Sequence, residues 1–228
     1  HRRIDFTNMV QINLATRKKR QISLQLDVPA SWSTPVQSLI QQNGQTQDLY
    51  VQEQGDDVWD AILKVLSETA HADTTTSHGS KCSVMRTGNI TLRSVHRIEN
   101  FALWQKYLFE VRQMKEETIR QGVHVSEISP LMGINDQALQ ASVNILAGSF
   151  NMQPGVNEKM LLHGTSWETV DKIARSGFDP RTCDRGMYGA GAYFASQSCK
   201  THQYTCALHT TACDCSTERS VIIARVAS

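Results

Sequence analysis

The stretches LLHGT at residues 161–165 and GMYGAGAYFA at residues 186–195 decide the fold of this chain. In the first, a histidine leaves an apolar run, and in the second a glycine-dense turn leads into Tyr193-Phe194-Ala195. Both patterns predict strands, and we expect their facing side chains to line one cleft. Such a cleft would bring the imidazole of His163 beside an aromatic ring, where the bare backbone of Gly164 lets a flat ligand approach.

Length and composition limit the class of protein. The chain has 228 residues, 40% hydrophobic and 20% charged, with a formal net charge of +1. These values are typical of a globular protein with one large domain, and they argue against DNA binding by long-range attraction. No apolar run reaches the roughly 20 residues of a membrane span, and no signal-peptide pattern opens the chain. Because the first residue is His1, we expect a piece of a longer protein.

Three predicted segments occupy residues 4–69. Residues 4–26 alternate as strands do, and the basic run at 17–20 falls where a hairpin turn is expected. That run is either a solvated turn or a nuclear-localisation or anion-binding signal. Residues 27–56 are rich in Pro, Ser, Gln, Asn and Gly, which predicts a linker. Apolar residues at helical spacing then predict a helix at 57–69.

Helices and strands alternate in the rest of the chain. Thr165 and Glu168 have the spacing of a capping box, and Gly177 stands where a helix C-cap is wanted. The later predicted elements are a strand at 90–98, helices at 100–121, 135–150 and 166–175, and a strand at 220–226.

The residues of the expected cleft indicate a nucleotide site when taken together. His163 could bond a ribose hydroxyl, and the peptide groups of Gly164 could clamp a carboxamide. Tyr193 and Tyr204 could hold an aromatic ring between them. Each residue alone also has a structural explanation, because most single buried histidines are satisfied core residues. The GAG at 189–191 is not a dinucleotide fingerprint, since it lacks a third glycine and leads into a strand.

These stretches together resemble the poly(ADP-ribose) polymerase family, the diphtheria-toxin-like ADP-ribosyltransferases. The likeness covers residues 161–204 almost without gaps, and it extends to residues 95–107 and to Asn157-Glu158-Lys159. The resemblance implies an α+β fold with split antiparallel sheets and flanking helices. It also implies a catalytic domain at 57–228 that lacks its carboxyl-terminal strands.

The activity implied by the resemblance is transfer of ADP-ribose from NAD to protein acceptors, with release of nicotinamide. This glycosyltransferase reaction passes through an oxocarbenium-like state, so catalysis would consist mainly of positioning and electrostatic stabilisation. The resemblance gives catalytic roles to His163 and Tyr193. It places NAD contacts at His163, Gly164, Thr165, Tyr188, Tyr193, Thr201 and Tyr204.

The third member of the family's His-Tyr-Glu triad would lie on a strand beyond Ser228. A glutamate there goes with polymer elongation, and an apolar residue goes with single-unit transfer or inactivity, so both modes stay open. Glu218 lies in the wrong segment for this role. The alternative function is an inactive module that binds NAD or ADP-ribose without transferring it. An RNA phosphotransferase using NAD fits less well, because such enzymes rely on basic residues around the cleft.

Four of the six cysteines lie within residues 199–215. Cys206, His209, Cys213 and Cys215 could satisfy a structural zinc ion with three thiolates and one imidazole. Tankyrases have a similar zinc site at this place with wider spacing. Reduced surface thiols and redox chemistry are the alternatives. The cysteine pattern indicates a reducing compartment, which we expect to be the nucleus or the cytoplasm.

Residues 4–16, with Arg20 and Ile22, resemble the last third of a WWE domain. In that family, the positions that match Gln11 and Arg20 help to bind ADP-ribose. We therefore expect residues 1–26 to be the carboxyl-terminal part of such a domain, whose intact form would bind ADP-ribose chains. A generic hairpin is the alternative.

Overall fold

Helices alternate with small antiparallel sheets in the computed structural model of the chain. The described residues are 2–5, 10–21, 28–29, 31–32, 49–70, 90–122, 137–148, 152–183, 185–186, 189–205 and 218–228. The strands are β1 (Arg2–Asp5), β2 (Val10–Asn13), β3 (Lys19–Gln21), β4 (Tyr50–Gln52), β5 (His96–Ile98), β6 (Lys159–Thr165), β7 (Arg185–Gly186), β8 (Gly189–Ala190) and β9 (Ser220–Val226). The helices are α1 (Asp56–Glu68), α2 (Phe101–Gln121), α3 (Gln137–Ala147), α4 (Trp167–Ser176) and α5 (Ser198–His202), with 3-10 turns at Pro154–Val156 and Pro180–Thr182.

The amino-terminal strands form an antiparallel sheet in the order β1-β2-β3. The side chain of Asn13 accepts hydrogen bonds from the N–H groups of Ala15 and Thr16, at 3.0 and 3.1 Å, and this folds the loop between β2 and β3. The turn therefore starts at Leu14, before the basic run, and β3 already begins at Lys19. The expectation that 17–20 forms the turn is wrong for its second half, because the asparagine sets the reversal earlier.

The segment predicted as a linker ends in a strand. Tyr50 pairs with Ile98 and Val51 with Arg97, so β4 and β5 form a two-stranded antiparallel sheet. Residues 50–52 of the segment 27–56, predicted as a linker, are thus a strand. The partner strand lies more than 40 residues away in sequence, and local composition carries no signal of such pairing. The strand predicted at 90–98 is limited to its last three residues.

Side chains and glycines set the helix ends. The side chain of Asn100 accepts from the N–H of Leu103 at 3.1 Å and donates to the Ala174 carbonyl at 2.9 Å, which joins α2 to the end of α4. Ser166, not Thr165, caps α4 and accepts from the Thr169 N–H. The capping-box prediction is wrong by one residue, because Thr165 is still paired in β6. Gly177 (φ 79°) ends α4 as predicted.

The core forms where α1 and α3 cover one face of the β6–β9 sheet. In this sheet His163 lies opposite Ile222 and Gly164 opposite Val221. The helices predicted at 57–69, 100–121 and 135–150 are confirmed, with ends that differ by up to three residues. The core cluster consists of Val65, Leu139 and Leu162, with Leu66, Val143, Leu146, Val221 and Ile223 packed against it.

A carboxylate fastens α2 to the start of β6. Glu158, whose side chain is 1% exposed, accepts from Arg225 at 2.9 and 2.8 Å, from the Gln153 N–H at 2.7 Å, and from the Tyr107 hydroxyl. Burial alone would raise the pKa of Glu158, but the hydrogen bonds from Arg225 and Tyr107 and the charge of Arg225 outweigh it and lower that pKa. Burial and the bond to the carboxylate raise the pKa of Tyr107, so the phenol keeps its proton.

None of the helices in the described ranges is both long enough and apolar enough to cross a membrane. The longest, α2, carries charged residues along most of its length.

Candidate active site

The two stretches singled out in the sequence lie side by side. Leu162 and Ala195 form an antiparallel bridge, in which each N–H donates to the other's carbonyl at 2.8 Å. The segment that contains Tyr193 therefore runs along the edge of β6 that faces away from β9. This bridge places His163 and Gly164 next to the residues that follow the glycine-rich turn.

The imidazole of His163 is held by a main-chain carbonyl and two aromatic rings. Its Nδ1 lies 2.8 Å from the carbonyl oxygen of Tyr193. Because a carbonyl can only accept, this contact requires a proton on Nδ1, and the tautomer that satisfies it presents Nε2 to a donor such as a hydroxyl group. Phe178 and Phe194 pack against the ring with centroids 5.0 and 5.6 Å away and fix its orientation.

Gly164 is buried in β6, at a position that no side chain could occupy. Successive residues of a strand direct their N–H and C=O groups to opposite edges. Since the groups of Leu162 face Ala195, those of Gly164 face the same edge. Beyond the Leu162–Ala195 bridge, no further strand pairs with this edge among the described residues. A Cβ at Gly164 would overlap the carbonyl oxygen of Thr201 in α5.

Helix α5, which carries Thr201, is anchored to the end of α1. The N–H of Ser198 donates to the hydroxyl of Thr69 at 3.1 Å, and the Ser198 hydroxyl donates to the Leu66 carbonyl at 2.6 Å. Thr69 in turn donates to the Val65 carbonyl at 2.6 Å and is only 1% exposed. Thr201 is equally buried, and its hydroxyl donates to the Gln197 carbonyl at 3.0 Å, which leaves the oxygen lone pairs as acceptors.

The ring of Tyr193 is positioned by the β7–β8 hairpin. Its hydroxyl donates to the Gly189 carbonyl at 2.7 Å. A Cβ at Gly186 would lie 2.5 Å from the end of the ring, so only glycine lets the hairpin approach this closely. Gly189 has φ of 102°, in the region that favours glycine.

Three further residues were predicted to contact NAD: Thr165, Tyr188 and Tyr204. Thr165 is the last residue of β6 and lies opposite Ser220. Tyr204 follows α5 and is 44% exposed, with Nζ of Lys200 5.4 Å from its ring centroid. Tyr188 lies outside the described residues. The sandwich of a ligand ring between Tyr193 and Tyr204 therefore stays a prediction.

The predicted zinc ligands Cys206, His209, Cys213 and Cys215 also lie outside the described residues. Within the described ranges, no group of three or more His, Cys, Asp or Glu side chains is arranged to hold a metal ion. The Sγ of Cys183 donates to the Asp179 carbonyl and the Sγ of Cys199 to the Thr69 carbonyl, and neither cysteine forms a disulfide among the described residues. Glu218 forms an exposed ion pair with Arg93 at 3.3 Å. This contact agrees with the prediction that Glu218 is not the third member of the triad.

Two titratable groups near the candidate site, Asp179 and His202, have lowered pKa values. Hydrogen bonds from the side chain and N–H of Arg181 lower the pKa of Asp179, next to Phe178, to about 2. Burial, with a smaller contribution from the charge of Arg219, lowers the pKa of His202 in α5 below its usual value. Asp179 is thus an anion and His202 is favoured in its neutral form at neutral pH.

Sequence reasoning did not assign roles to Phe178, Phe194, Gly186 or Thr69. The two phenylalanines stand beside motif residues, and their place in the Gly-Phe-Asp and Tyr-Phe-Ala triplets was an available signal. Gly186 and Thr69 carry no such signal, because their contacts with Tyr193 and Ser198 are made across the fold.

The described residues form an α+β arrangement in which His163 and Gly164 of β6 lie beside the segment that contains Tyr193. A family model described as the poly(ADP-ribose) polymerase catalytic domain matches residues 79–228, and the chain belongs to this family. The match begins after α1, at a later residue than the predicted domain start at 57. It does not test the WWE resemblance of residues 1–26.

Two curated relatives carry the name protein mono-ADP-ribosyltransferase PARP12, one from Homo sapiens and one from Mus musculus. Each is 27% identical to this chain over 116 residues, which is 50% of this chain and 12% of the relative. The matched part is thus a small fraction of these relatives.

Proposed function

We propose that this chain is the catalytic region of an NAD-dependent protein ADP-ribosyltransferase. The observation that carries the proposal is the pairing of His163 Nδ1 with the Tyr193 carbonyl, which leaves Nε2 as an acceptor beside the peptide edge of Gly164. Membership of the poly(ADP-ribose) polymerase catalytic-domain family supports it.

The nicotinamide end of NAD would be held by the peptide groups of Gly164. A primary carboxamide has one acceptor and two donors, which suit the N–H and C=O of a single residue along an open strand edge. The Thr201 oxygen would accept a second amide hydrogen. Tyr193 and Tyr204 would enclose the pyridinium ring, whose positive charge favours contact with aromatic faces.

The adenosine-side ribose would donate a hydroxyl hydrogen to Nε2 of His163. Together these contacts would hold NAD at both ends and leave the bond between nicotinamide and its ribose exposed to an acceptor. As that bond breaks, positive charge develops on the ribose and the nicotinamide ring becomes neutral. The chain's contribution would be to fix this geometry, because a pre-oriented substrate lowers the entropic part of the barrier.

We propose transfer of single ADP-ribose units, with proteins as acceptors. The support is the name of the two relatives, which are described as mono-ADP-ribosyltransferases. The inactive binding module is the alternative, and the presence of both His163 and Tyr193 argues against it.

A structural zinc ion held by Cys206, His209, Cys213 and Cys215 is a further part of the proposal. The donor set has the chemistry of a closed zinc site. Elemental analysis of protein purified without chelators should find about one zinc per chain, and a metal-free result would remove the ion from the proposal. The WWE fragment at 1–26 and a nuclear or cytoplasmic location are proposed on the sequence alone.

The test is labelling with biotinylated NAD, using the full-length protein. His163→Ala should lower labelling by about 10- to 100-fold, because it removes the ribose hydrogen bond and the ring that supports the cleft. His96→Ala, an exposed histidine on β5, is the matched control and should label normally. Equal labelling by all three proteins would defeat the catalytic assignment.

A binding measurement separates the enzyme from the inactive module. If wild-type protein binds NAD and a nicotinamide analogue but labels no acceptor, the alternative function is correct. If it binds neither, both functions are wrong.

A further inference from the structure

A pocket of about 260 Å³ lies at the opposite end of β6 from the candidate active site. One wall is helix α2, and the other is formed by the turn that precedes β6 and by Arg225 near the end of β9. Glu158 stands immediately before β6, whereas His163 and Gly164 are in its second half. The pocket is therefore separate from the cleft of the proposed transferase.

Three cations and one carboxylate line this pocket. The carboxylate, Glu158, is already neutralised, since Arg225 donates to both of its oxygens. The phenol of Tyr107 stays protonated and adds no charge. The pocket therefore has an excess of positive charge that comes from the other two cations, Arg112 and Lys115.

Neither Arg112 nor Lys115 has an acidic partner among the described residues. Lys115 donates to the amide oxygen of Gln153, which is neutral, and Arg112 is exposed on the solvent side of the wall. The two residues are three positions apart in α2, so their side chains project from the same face of the helix. This pair can approach one anionic group from two directions, as phosphate sites require.

The rest of the wall is apolar and aromatic. Leu108 and Val111 lie along α2 before Arg112, and the ring of Trp104 is 5.8 Å from the ring of Tyr107 and 5.7 Å from the Arg225 guanidinium. A volume of 260 Å³ is at the small end of the range for ligand pockets, which begins at about 300 Å³. Such a pocket accepts a compact ligand with one anionic end and a carbon framework.

We propose that this pocket binds a compact organic phosphate, of sugar-phosphate or mononucleotide size, through Arg112 and Lys115. The phosphate lies between these two cations, and the sugar or base packs against Leu108 and Val111. Glu158 and Arg225 hold the pocket open by fixing α2 to the sheet. This site does not depend on the proposed NAD chemistry, because none of its residues belongs to the cleft around His163.

The test is calorimetric titration of the full chain with AMP, ribose 5-phosphate and adenosine. AMP and ribose 5-phosphate should bind, and adenosine should not. In the double variant Arg112→Ala/Lys115→Ala the affinity for AMP should fall about 100-fold, at about tenfold for each charged hydrogen-bonding partner removed. Arg120→Ala, on the same helix but paired with Glu117, is the matched control and should bind AMP as the wild type does.

Several results would overturn the proposal. These are no AMP binding by the wild type, equal binding by the double variant, or AMP binding that His163→Ala abolishes, since the phosphate would then occupy the NAD cleft. Inorganic phosphate binding as tightly as AMP would show that the apolar wall plays no part. Normal labelling by NAD in the double variant, together with lost AMP binding, would show that the two sites are independent.

Discussion

The two ends of strand β6 use their polar groups in opposite ways. At its start, both oxygens of Glu158 accept hydrogen bonds, the side chain is almost completely buried, and the network joins α2 to the sheet. In its second half, His163 bonds through Nδ1 to the Tyr193 carbonyl, and the peptide groups of Gly164 face an edge of β6 that no further strand pairs with among the described residues. Polar groups whose partners are all within the protein hold the fold together, whereas groups that keep a free partner position are available to a ligand.

The largest effect is expected from Glu158→Ala. It leaves the Arg225 guanidinium buried without its carboxylate, and it should lower the free energy of unfolding by about 3–5 kcal/mol. Urea unfolding measures this change. Glu117→Ala removes an exposed partner of Arg120 on α2 and should cost no more than about 1 kcal/mol. If the two variants were equally stable, the hydrogen bonds of Glu158 would not be what holds α2 against the sheet. Glu158→Gln is a milder substitution that can be measured if the alanine variant does not fold.

Gly164→Ala tests the other half of β6. The new Cβ would overlap the Thr201 carbonyl, so α5 must shift, and we expect a loss of about 1–3 kcal/mol in stability. NAD-dependent labelling should fall about 100-fold, because a displacement near 1 Å at the site has this order of effect. The control is Gly155→Ala, where a Cβ would meet nothing within 4 Å. Normal labelling by Gly164→Ala would exclude this glycine from the carboxamide contact.

Thr69→Val tests whether α1 positions the site through α5. The substitution keeps the shape but removes the oxygen that accepts from the buried Ser198 N–H, and it should lower stability by about 1–2 kcal/mol. We also expect KM for NAD to rise while kcat changes less, since α5 carries Thr201. Thr118→Val is the control, because its hydroxyl bonds only to Met114 in its own helix among the described contacts. An unchanged KM would show that α5 does not need this anchor.

The smallest effect concerns Asp179, in the exposed loop after α4. Its lowered pKa means that its ion pair with Arg181 adds stability at pH values above 3.8, and this contribution is lost as the pH falls through about 2. Carbon-13 NMR should find the carboxyl titrating near 2 in the wild type and closer to 3.8 in Arg181→Gln. A wild-type midpoint near 3.8 would show that the pair does not form in solution.

Much of the fold could be predicted from local patterns. The helix ends at Gly122 and Gly177 follow from glycine in the left-handed region, and the β-branched run 220–226 became a strand over that whole length. The wrong predictions concern residues whose secondary structure depends on pairing with segments far away in sequence. β4 forms inside a polar segment because β5 pairs with it, and Ser166 replaces Thr165 as the cap because β9 keeps Thr165 in the sheet.

The sequence by itself predicted the α+β class and the poly(ADP-ribose) polymerase catalytic-domain family, and it singled out His163, Gly164 and Tyr193 as the centre of a candidate site. These depend on residue types at fixed spacing, which a single strand or turn displays. Only the tertiary structure decided that Tyr193 holds His163 through its main-chain carbonyl, that Gly186 makes room for the tyrosine ring, and that Thr69 anchors α5. The reason is physical. Hydrogen bonds and close contacts between residues far apart in sequence are set by the packing of the whole fold, and the local sequence pattern around each residue does not reveal its distant partner.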